Sequence, residues 1–242
     1  MKLYGKNPVF ERLKSNPKTI KKITIQEGFS DASYVRKKAK KWSIPVCCVS
    51  KSKMLKMTRS INSQGILVEV DEFFYTSFEE LCRSSVRKNH SLLFLDGLTD
   101  PQNFGSIIRS LACLGGFSVV IPKHDSVQVT EAVLRVASGG DNFIAISKVA
   151  NLNAAIKQAK EVGFWIAGAV AQGGQDLMRE SLPMPISIVI GSEQKGIRDV
   201  IKKVLDIELT IPMKQARLSM NAAQAATIFC YEITKQKKKK GK

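Results

Sequence analysis

The sequence predicts an α/β protein, with a mostly parallel sheet in its C-terminal part and a small α/β domain at its N-terminus. From Ser91 onward, short apolar runs alternate with helix-like segments, which is typical of strands joined by crossover helices that cover both faces of a sheet. Before that point, a shorter series of strand-like and helix-like segments is strongly basic, whereas most of the following chain is close to neutral. Such a change in composition predicts a separate N-terminal module.

The basic residues are concentrated in two places. In a chain of 242 residues with a net charge of +17, residues 1–60 contain 16 Lys and Arg against 3 Asp and Glu, and residues 235–242 contain 6 Lys and no acidic residue. A basic segment on a nearly neutral body is typical of proteins that bind a polyanion, most commonly a nucleic acid. A lysine-rich surface that only aids solubility is the alternative that charge alone leaves open.

The small domain is predicted to span residues 1–70. Its expected elements are helices at residues 7–13 and 33–41 and strands at residues 23–25, 45–49 and 64–70. The second helix is too densely charged for a helix that faces a core on several sides. Its cationic residues are predicted to contact RNA or DNA phosphates, with solvated charge as the alternative. They are Arg36, Lys37, Lys38, Lys40 and Lys41.

Residues 71–90 are polar with a partly helical pattern, and we expect them to link the small domain to a C-terminal domain of residues 91–242. The strands expected there lie at 92–95, 117–121, 143–146, 164–169, 186–190 and 207–211, and the helices at 105–114, 130–137, 152–162 and 197–203. A last helix has apolar residues from Ala222 to Ile233 at helical spacing. The basic tail, 235–242, is expected to be disordered beyond one turn.

Three segments that follow predicted strands carry polar residues typical of functional sites. Since ligands of parallel sheets bind beyond the carboxyl ends of the strands, we expect these segments to lie together. The first enters a helix that carries Arg109, whose guanidinium can meet a phosphate or a carboxylate. The second places Glu193 between two glycines. The third ends with Ser219 and Asn221, which could also be simple helix caps.

Several classes of site are not expected. No glycine motif of the P-loop or Rossmann type is present. The cysteines show no C-x-x-C spacing and only His90 and His124 could add imidazole ligands, so we expect neither a metal site nor a histidine-based triad. Long apolar runs and an apolar signal core are lacking as well, which predicts a cytoplasmic protein without a membrane span.

With the three segments in view, the chain resembles the SpoU/TrmH family of RNA 2'-O-ribose methyltransferases, which belong to the SPOUT class. The family's three motifs are similar to LDGLTDPQNFGSIIRS, IVIGSEQKGI and IPMKQARLSMNAAQAA, in the family's order and spacing. Near the N-terminus, YGKNPVFERLK and NSQGILVEV resemble the family's RNA substrate-binding domain, in the form typical of members that act on ribosomal RNA.

The resemblance implies a trefoil knot in the C-terminal domain, S-adenosylmethionine as cofactor, and a homodimer whose active site draws on both subunits. The implied cofactor contacts are Gly191, Ile211 and Met220, and the implied catalytic set is Asn103, Arg109, Glu193, Ser219 and Asn221. We expect Arg109 to donate hydrogen bonds rather than to act as a base, because a guanidinium has a pKa above about 12. Glu193 is expected to orient Arg109 or to cap its loop.

The activity implied by the resemblance is methylation of a ribose 2'-hydroxyl in RNA, with a guanosine of 23S (large-subunit) ribosomal RNA as the leading expectation. Transfer RNA is the alternative substrate. The third motif departs from the family pattern, since Gln215 and Ala223 stand where glycine and serine are usual. A catalytically silent RNA-binding or ribosome-assembly factor of the same fold is therefore a further alternative.

Overall fold

The structure, a computed structural model, describes residues 1–59, 61–214 and 219–240, and the chain divides into two compact units. The N-terminal unit contains Met1–Phe74 together with Val129–Asn142, and the C-terminal unit contains Tyr75–Gln128 and Phe143–Lys242. The chain thus enters the N-terminal unit a second time in the middle of the sequence. The predicted domain limits, 1–70, 71–90 and 91–242, are a separate prediction that this division into two units does not test.

The helices and strands follow in chain order. Residues 1–74 contain β1 Lys2–Tyr4, α1 Lys6–Ser15, β2 Ile20–Gln26, α2 Ala32–Lys41, β3 Val46–Val49, α3 Lys51–Met57 and β4 Ile66–Val70. Residues 75–142 contain α4 Phe78–Lys88, β5 Ser91–Asp96, α5 Pro101–Leu114, β6 Phe117–Pro122 and α6 Glu131–Ala137. Residues 143–240 contain β7 Ile146–Val149, α7 Leu152–Glu161, β8 Trp165–Ala169, β9 Gln175–Asp176, β10 Ile186–Gly191, α8 Asp199–Lys202, β11 Ile207–Thr210 and α9 Ala222–Lys240.

The N-terminal unit is built on a sheet of four described strands in the order β1-β4-β2-β3, in which only β2 and β3 run parallel. A buried ion pair joins Arg12 of α1 to Asp141. Removing one partner of such a pair leaves an uncompensated buried charge, so the pair ties the segment after α6 to this unit. Nothing in the local pattern around either residue indicated this contact.

The C-terminal unit is built on a sheet of seven described strands in the order β7-β6-β5-β10-β8-β11-β9, and all neighbouring strands run parallel. Every residue of β5 and β6 is buried, as expected for parallel strands covered on both faces. This burial explains why these strands are continuous apolar runs in the sequence. The predicted α/β class with a mostly parallel C-terminal sheet is confirmed, and the trefoil knot stays a prediction.

Several element boundaries differ from the prediction, and those of α5 and β7 differ by three residues or more. Helix α5 begins at Pro101 rather than at residue 105, because the Asp100 carboxylate accepts hydrogen bonds from the main-chain N–H groups of Gln102 (2.9 Å) and Asn103 (3.2 Å). Asn103 therefore lies in the first turn of a helix and not in a loop. Strand β7 begins at Ile146 rather than at residue 143, and Phe143 is 57% exposed.

The predicted linker, for which a partly helical pattern was expected, and the basic tail are both largely helical. Within residues 71–90, α4 packs Leu81 and Cys82 into the core of the C-terminal unit. The prediction of a tail disordered beyond one turn is wrong, since α9 continues to Lys240. No helix in the described part of the chain is long and apolar enough to cross a membrane.

Candidate active site

A cavity of about 300 Å³ lies at the carboxyl ends of β8, β10 and β11 and beside the first turns of α9. Its lining includes Ala169, Val170 and Ala171 at the end of β8, Gly191 to Gln194 at the end of β10, Ile211 and Met213 after β11, Ser219 and Met220, and Ala222, Ala225 and Phe229 of α9. Most of these side chains are apolar or small. A concave, mostly apolar site with a few polar groups is typical of small-molecule binding.

The turn after β10 approaches the end of its own strand very closely. A Cβ atom on Gly191 would lie 2.1 Å from the main-chain carbon of Gly196 and 2.4 Å from the nitrogen of Ile197, so only glycine fits there. Two main-chain hydrogen bonds between Ser192 and Gly196, of 2.9 and 3.2 Å, close this turn. Gly196 itself has a positive φ of 63°, which glycine adopts without strain.

A buried carboxylate holds the far end of the same turn. Asp96, at the end of β5, is 1% exposed and accepts hydrogen bonds from the main-chain nitrogen (2.8 Å) and Nε (2.7 Å) of Arg198. Asp96 also lies beside Gly191 in the register of β5 and β10. This pair was not predicted from the sequence. An aspartate at the end of an otherwise apolar strand is the feature that could have indicated it.

Three of the predicted catalytic residues are hydrogen-bonded in series. Nδ2 of Asn103 donates to Oε1 of Glu193, and Nδ2 of Asn221 donates to Oδ1 of Asn103 at 2.7 Å. Oδ1 of Asn221 accepts a bond of 2.9 Å from the main-chain nitrogen of Ala223, so Asn221 also caps α9. These three hydrogen-bonded side chains, Asn221, Asn103 and Glu193, are called the relay below. They connect α5, the turn after β10 and the start of α9.

The structure brings most of the predicted site residues together. The predicted cofactor contacts Gly191, Ile211 and Met220 all line the cavity, with Glu193 and Ser219. Asn103 and Asn221 line a second cavity, of about 640 Å³, which also includes Met220. Since Met220 belongs to both linings, the two cavities are neighbours.

Arg109 is the exception among the predicted catalytic residues. It is exposed on α5 and lies outside the lining of both cavities. Within the described residues it has no hydrogen bond or ion pair, and Glu193 is oriented by Asn103 rather than by Arg109. The guanidinium of Arg109 is therefore unpaired among the described residues.

The positions that depart from the family pattern lie in different places. Gln215 is outside the described residues. Ala223 lines the second cavity and not the first, so the missing hydroxyl at this position does not alter the lining of the first cavity. The end of β8 and the two residues after it, Ala169 to Ala171, line the first cavity and were not predicted to do so, although small residues at a strand end were a signal.

The predicted RNA-binding residues lie on α2 in the N-terminal unit. Val35 and Ala39 face the core of that unit, and the basic side chains lie on the remaining faces of the helix. Arg36, Lys37, Lys40 and Lys41 are exposed, and Lys38 is half-buried near the ring of Tyr34. None of them forms an ion pair with a described residue, so their charges are available to phosphates.

Thiol chemistry has little support in the described residues. The cysteines are unpaired, and burial raises the pKa of Cys82 to about 11 and that of Cys230 further still. These two thiols are therefore protonated at neutral pH and poor nucleophiles. Among the described residues, no group of three or more His, Cys, Asp or Glu side chains could hold a metal ion.

Comparison with known proteins gives matches along the whole chain. Residues 90–231 match the SpoU rRNA methylase family, and residues 2–76 match the domain described as RNA 2'-O ribose methyltransferase substrate binding. A Staphylococcus haemolyticus protein named as a TrmH family tRNA/rRNA methyltransferase is 33% identical over 243 residues, covering 99% of this chain and 97% of that one. A similarly named Bacillus subtilis protein, YacO, is 33% identical over 236 residues, covering 96% and 94%.

Two solved structures have the same fold. The SpoU methyltransferase AviRb from Streptomyces viridochromogenes, in complex with the cofactor AdoMet, matches with a TM-score of 0.77 at 21% identity, covering 98% of this chain and 90% of that one. The AdoMet-bound rRNA methyltransferase from Sinorhizobium meliloti matches with a TM-score of 0.81 at 19% identity, covering 97% and 86%. With these folds, a family match over residues 90–231 and relatives at 33% identity over nearly its whole length, the chain belongs to the SpoU rRNA methylase family, as its three motifs predicted.

Proposed function

We propose that this protein transfers a methyl group from S-adenosylmethionine to the 2'-hydroxyl of a ribose in RNA, and that the target is a guanosine of 23S (large-subunit) ribosomal RNA. The observation that carries the proposal is the cavity at the ends of β8, β10 and β11, at whose edge Glu193 is held by Asn103 and Asn221. The names of the relatives and the AdoMet complexes with the same fold support it.

The residues of the cavity fit this cofactor. At Gly191 any side chain would displace the neighbouring main chain, so the strand end presents bare backbone to the cavity. Ile211 and Met220 add apolar walls beside it, suited to an adenine ring and a methionine chain. When bound, S-adenosylmethionine supplies an electrophilic methyl group on a positively charged sulfur.

The chain's own residues position the reacting groups. Asn103 holds the Glu193 carboxylate at the cavity, where its negative charge favours a cationic ligand and where it can accept a hydrogen bond from a ribose hydroxyl. Ser219, also in the lining, can donate or accept a hydrogen bond. Holding a hydroxyl at attack distance supplies a large part of the acceleration in such transfers.

Arg109 acts on the RNA across a homodimer. A guanidinium can bind the phosphate next to the target ribose and stabilise charge that develops on its oxygen. Because Arg109 lines neither cavity of its own chain, we assign this role to the site formed with a second copy. Exposed Ile228 on α9, 37% exposed at the second cavity, gives that face an apolar contact point for the partner.

Mixing two impaired variants, at a cofactor concentration at which each alone has little activity, tests the shared site. Arg109→Ala and Gly191→Ala impair different parts of the site, so a mixed dimer contains one site in which both parts are intact. An equal mixture then recovers about a quarter of the wild-type activity, because half of the dimers are mixed and each has one intact site of two. Light scattering that shows a monomer, or a mixture without recovered activity, would contradict the shared site.

The activity is tested on RNA from cells with and without the gene. Ribose methylations are mapped in both RNAs, and purified protein with labelled S-adenosylmethionine is then used to restore the missing one. Restoration on a 23S guanosine supports the proposal, and label on transfer RNA would move the assignment to that substrate. Calorimetry with S-adenosylmethionine distinguishes the silent factor, since a protein that binds RNA but neither binds the cofactor nor restores a methylation would be such a factor.

A further inference from the structure

The last helix is longer than the cavity requires. The residues of α9 that line the cavity, Ala222, Ala225 and Phe229, belong to its first half, whereas the helix continues to Lys240. From Ala225 to Lys238 the helix advances by about 20 Å, at 1.5 Å per residue. The end of α9 therefore lies far from the cavity.

Lys237 attaches this end of α9 to the rest of the C-terminal unit. Its Nζ donates a hydrogen bond of 2.7 Å to the carbonyl oxygen of Asn89, which ends α4 in a left-handed conformation. The same Nζ lies 5.8 Å from the centre of the Phe117 ring, at the start of β6. This contact lies at the amino ends of the strands, whereas the cavity lies at their carboxyl ends.

Further positive charges stand next to this contact in both helices. Arg87 and Lys88 are exposed in the last turn of α4, and Lys238 and Lys239 are exposed next to Lys237. None of these five side chains forms an ion pair with a described residue. We call them the α4–α9 basic surface.

Two of these positive charges act on His90. Burial, together with the charges of Lys237 and Lys88, lowers the pKa of His90, which lies in the short connection from α4 to β5. Burial lowers the pKa of Lys237 to about 8. A bound anion would offset the cost of burying the ammonium group of Lys237 at this position.

We propose that the α4–α9 basic surface is a second RNA-binding surface, which holds the phosphate backbone of the substrate RNA at the end of the C-terminal unit opposite the cavity. The inference rests on the proposed function, because RNA is the polyanion that such an enzyme must hold. Unpaired Lys and Arg side chains on two helix ends suit phosphates, and they do so without selecting a base sequence. A segment of RNA away from the reacting ribose would thereby anchor the substrate.

Two paired substitutions test the two halves of the surface in the full chain. Lys238→Gln with Lys239→Gln removes two charges from α9, and Arg87→Gln with Lys88→Gln removes two from α4, while Lys237 is kept. The matched control is Lys157→Gln with Lys203→Gln, which removes two exposed charges of the same unit that form no ion pair among the described residues. Fluorescence anisotropy measures binding of a mixed-sequence double-stranded RNA at several KCl concentrations.

We expect both test variants to weaken RNA binding by roughly tenfold or more near physiological salt. The slope of the logarithm of the binding constant against the logarithm of the KCl concentration should become less steep by about 2. The control should leave the slope close to that of the wild type. Calorimetry with S-adenosylmethionine, unchanged in all variants, checks that the unit is folded.

The other outcomes separate the possible failures. Wild-type protein that does not bind RNA would remove the proposed function itself. RNA binding that neither pair weakens more than the control does overturns only the second surface, and an effect of the α9 pair alone overturns the joint α4–α9 surface. Loss of binding to phosphatidylserine vesicles with unchanged RNA binding would likewise overturn it, in favour of a lipid surface.

Discussion

The turn after β10 makes Gly191→Ala the most informative single substitution. The added Cβ would lie 2.1 Å from the carbon, 2.3 Å from the oxygen of Gly196 and 2.4 Å from the nitrogen of Ile197. All three are main-chain atoms that no side-chain rotation can move. Forcing such an atom into a packed site costs about 1–3 kcal/mol. If the turn opens and the cavity loses its shape, the affinity for S-adenosylmethionine falls by about 5-fold to 150-fold.

Titration calorimetry with S-adenosylmethionine measures this loss, and thermal unfolding measures the strain. The control is Gly168→Ala on the neighbouring strand β8, where the added Cβ would lie 2.3 Å from Cδ1 of Leu205, the end of a flexible side chain that can rotate away. We expect the control to bind the cofactor nearly as the wild type does. Unchanged affinity in Gly191→Ala, or an equal loss in Gly168→Ala, would refute the role given to this close approach.

Three further predictions concern the relay, the guanidinium and the end of α9. Asn103→Ala removes the hydrogen bond that the Glu193 carboxylate accepts and the one that Nδ2 of Asn221 donates. A hydrogen bond to a charged group contributes about 1.5–3 kcal/mol, so we expect kcat to fall by tenfold or more in a steady-state methylation assay; unchanged kcat would contradict the relay. Arg109→Ala should lower the methylation rate by about 100-fold or more with an unchanged calorimetric Kd for S-adenosylmethionine, and a weaker Kd would contradict its role on the RNA. Burial lowers the pKa of Lys237 from 10.5 to about 8, so the unfolded chain binds more protons between these values and the free energy of unfolding gains a contribution as pH rises through this window. Lys237→Met should lose this rise in urea unfolding between pH 7 and pH 10, and identical pH profiles for both proteins would contradict it.

The sequence alone was enough for the class of fold and for most members of the site. Parallel strands buried on both faces must be apolar throughout, so runs such as that of β5 could be read directly, and the helices between them indicated crossovers. Gly191 could be named because it belongs to IVIGSEQKGI, which resembles a motif of the family, whereas the close main-chain approach that requires glycine there is visible only in the structure.

The local sequence pattern predicted the ends of helices and the structure of the charged tail less reliably. The cap by Asp100 and the proline after it moved the start of α5 back to Pro101, a signal that was present and was not weighed. The lysines after residue 234 suggested disorder, because isolated basic segments have too little apolar surface to fold. Here the tail continues a helix whose earlier turns are buried, and Lys237 finds a carbonyl on α4.

Only the tertiary structure decided which distant residues meet. Asn103 is 90 residues from Glu193 and 118 from Asn221, and Arg12 is 129 residues from Asp141. Periodicity and caps act over a few residues, so they determine the elements and not the pairs that packing brings together. The sequence by itself therefore determined the elements and the candidate residues, whereas the packing of α5, β10 and α9 decided that Glu193 is held by Asn103 and that Arg109 lies outside the lining of both cavities.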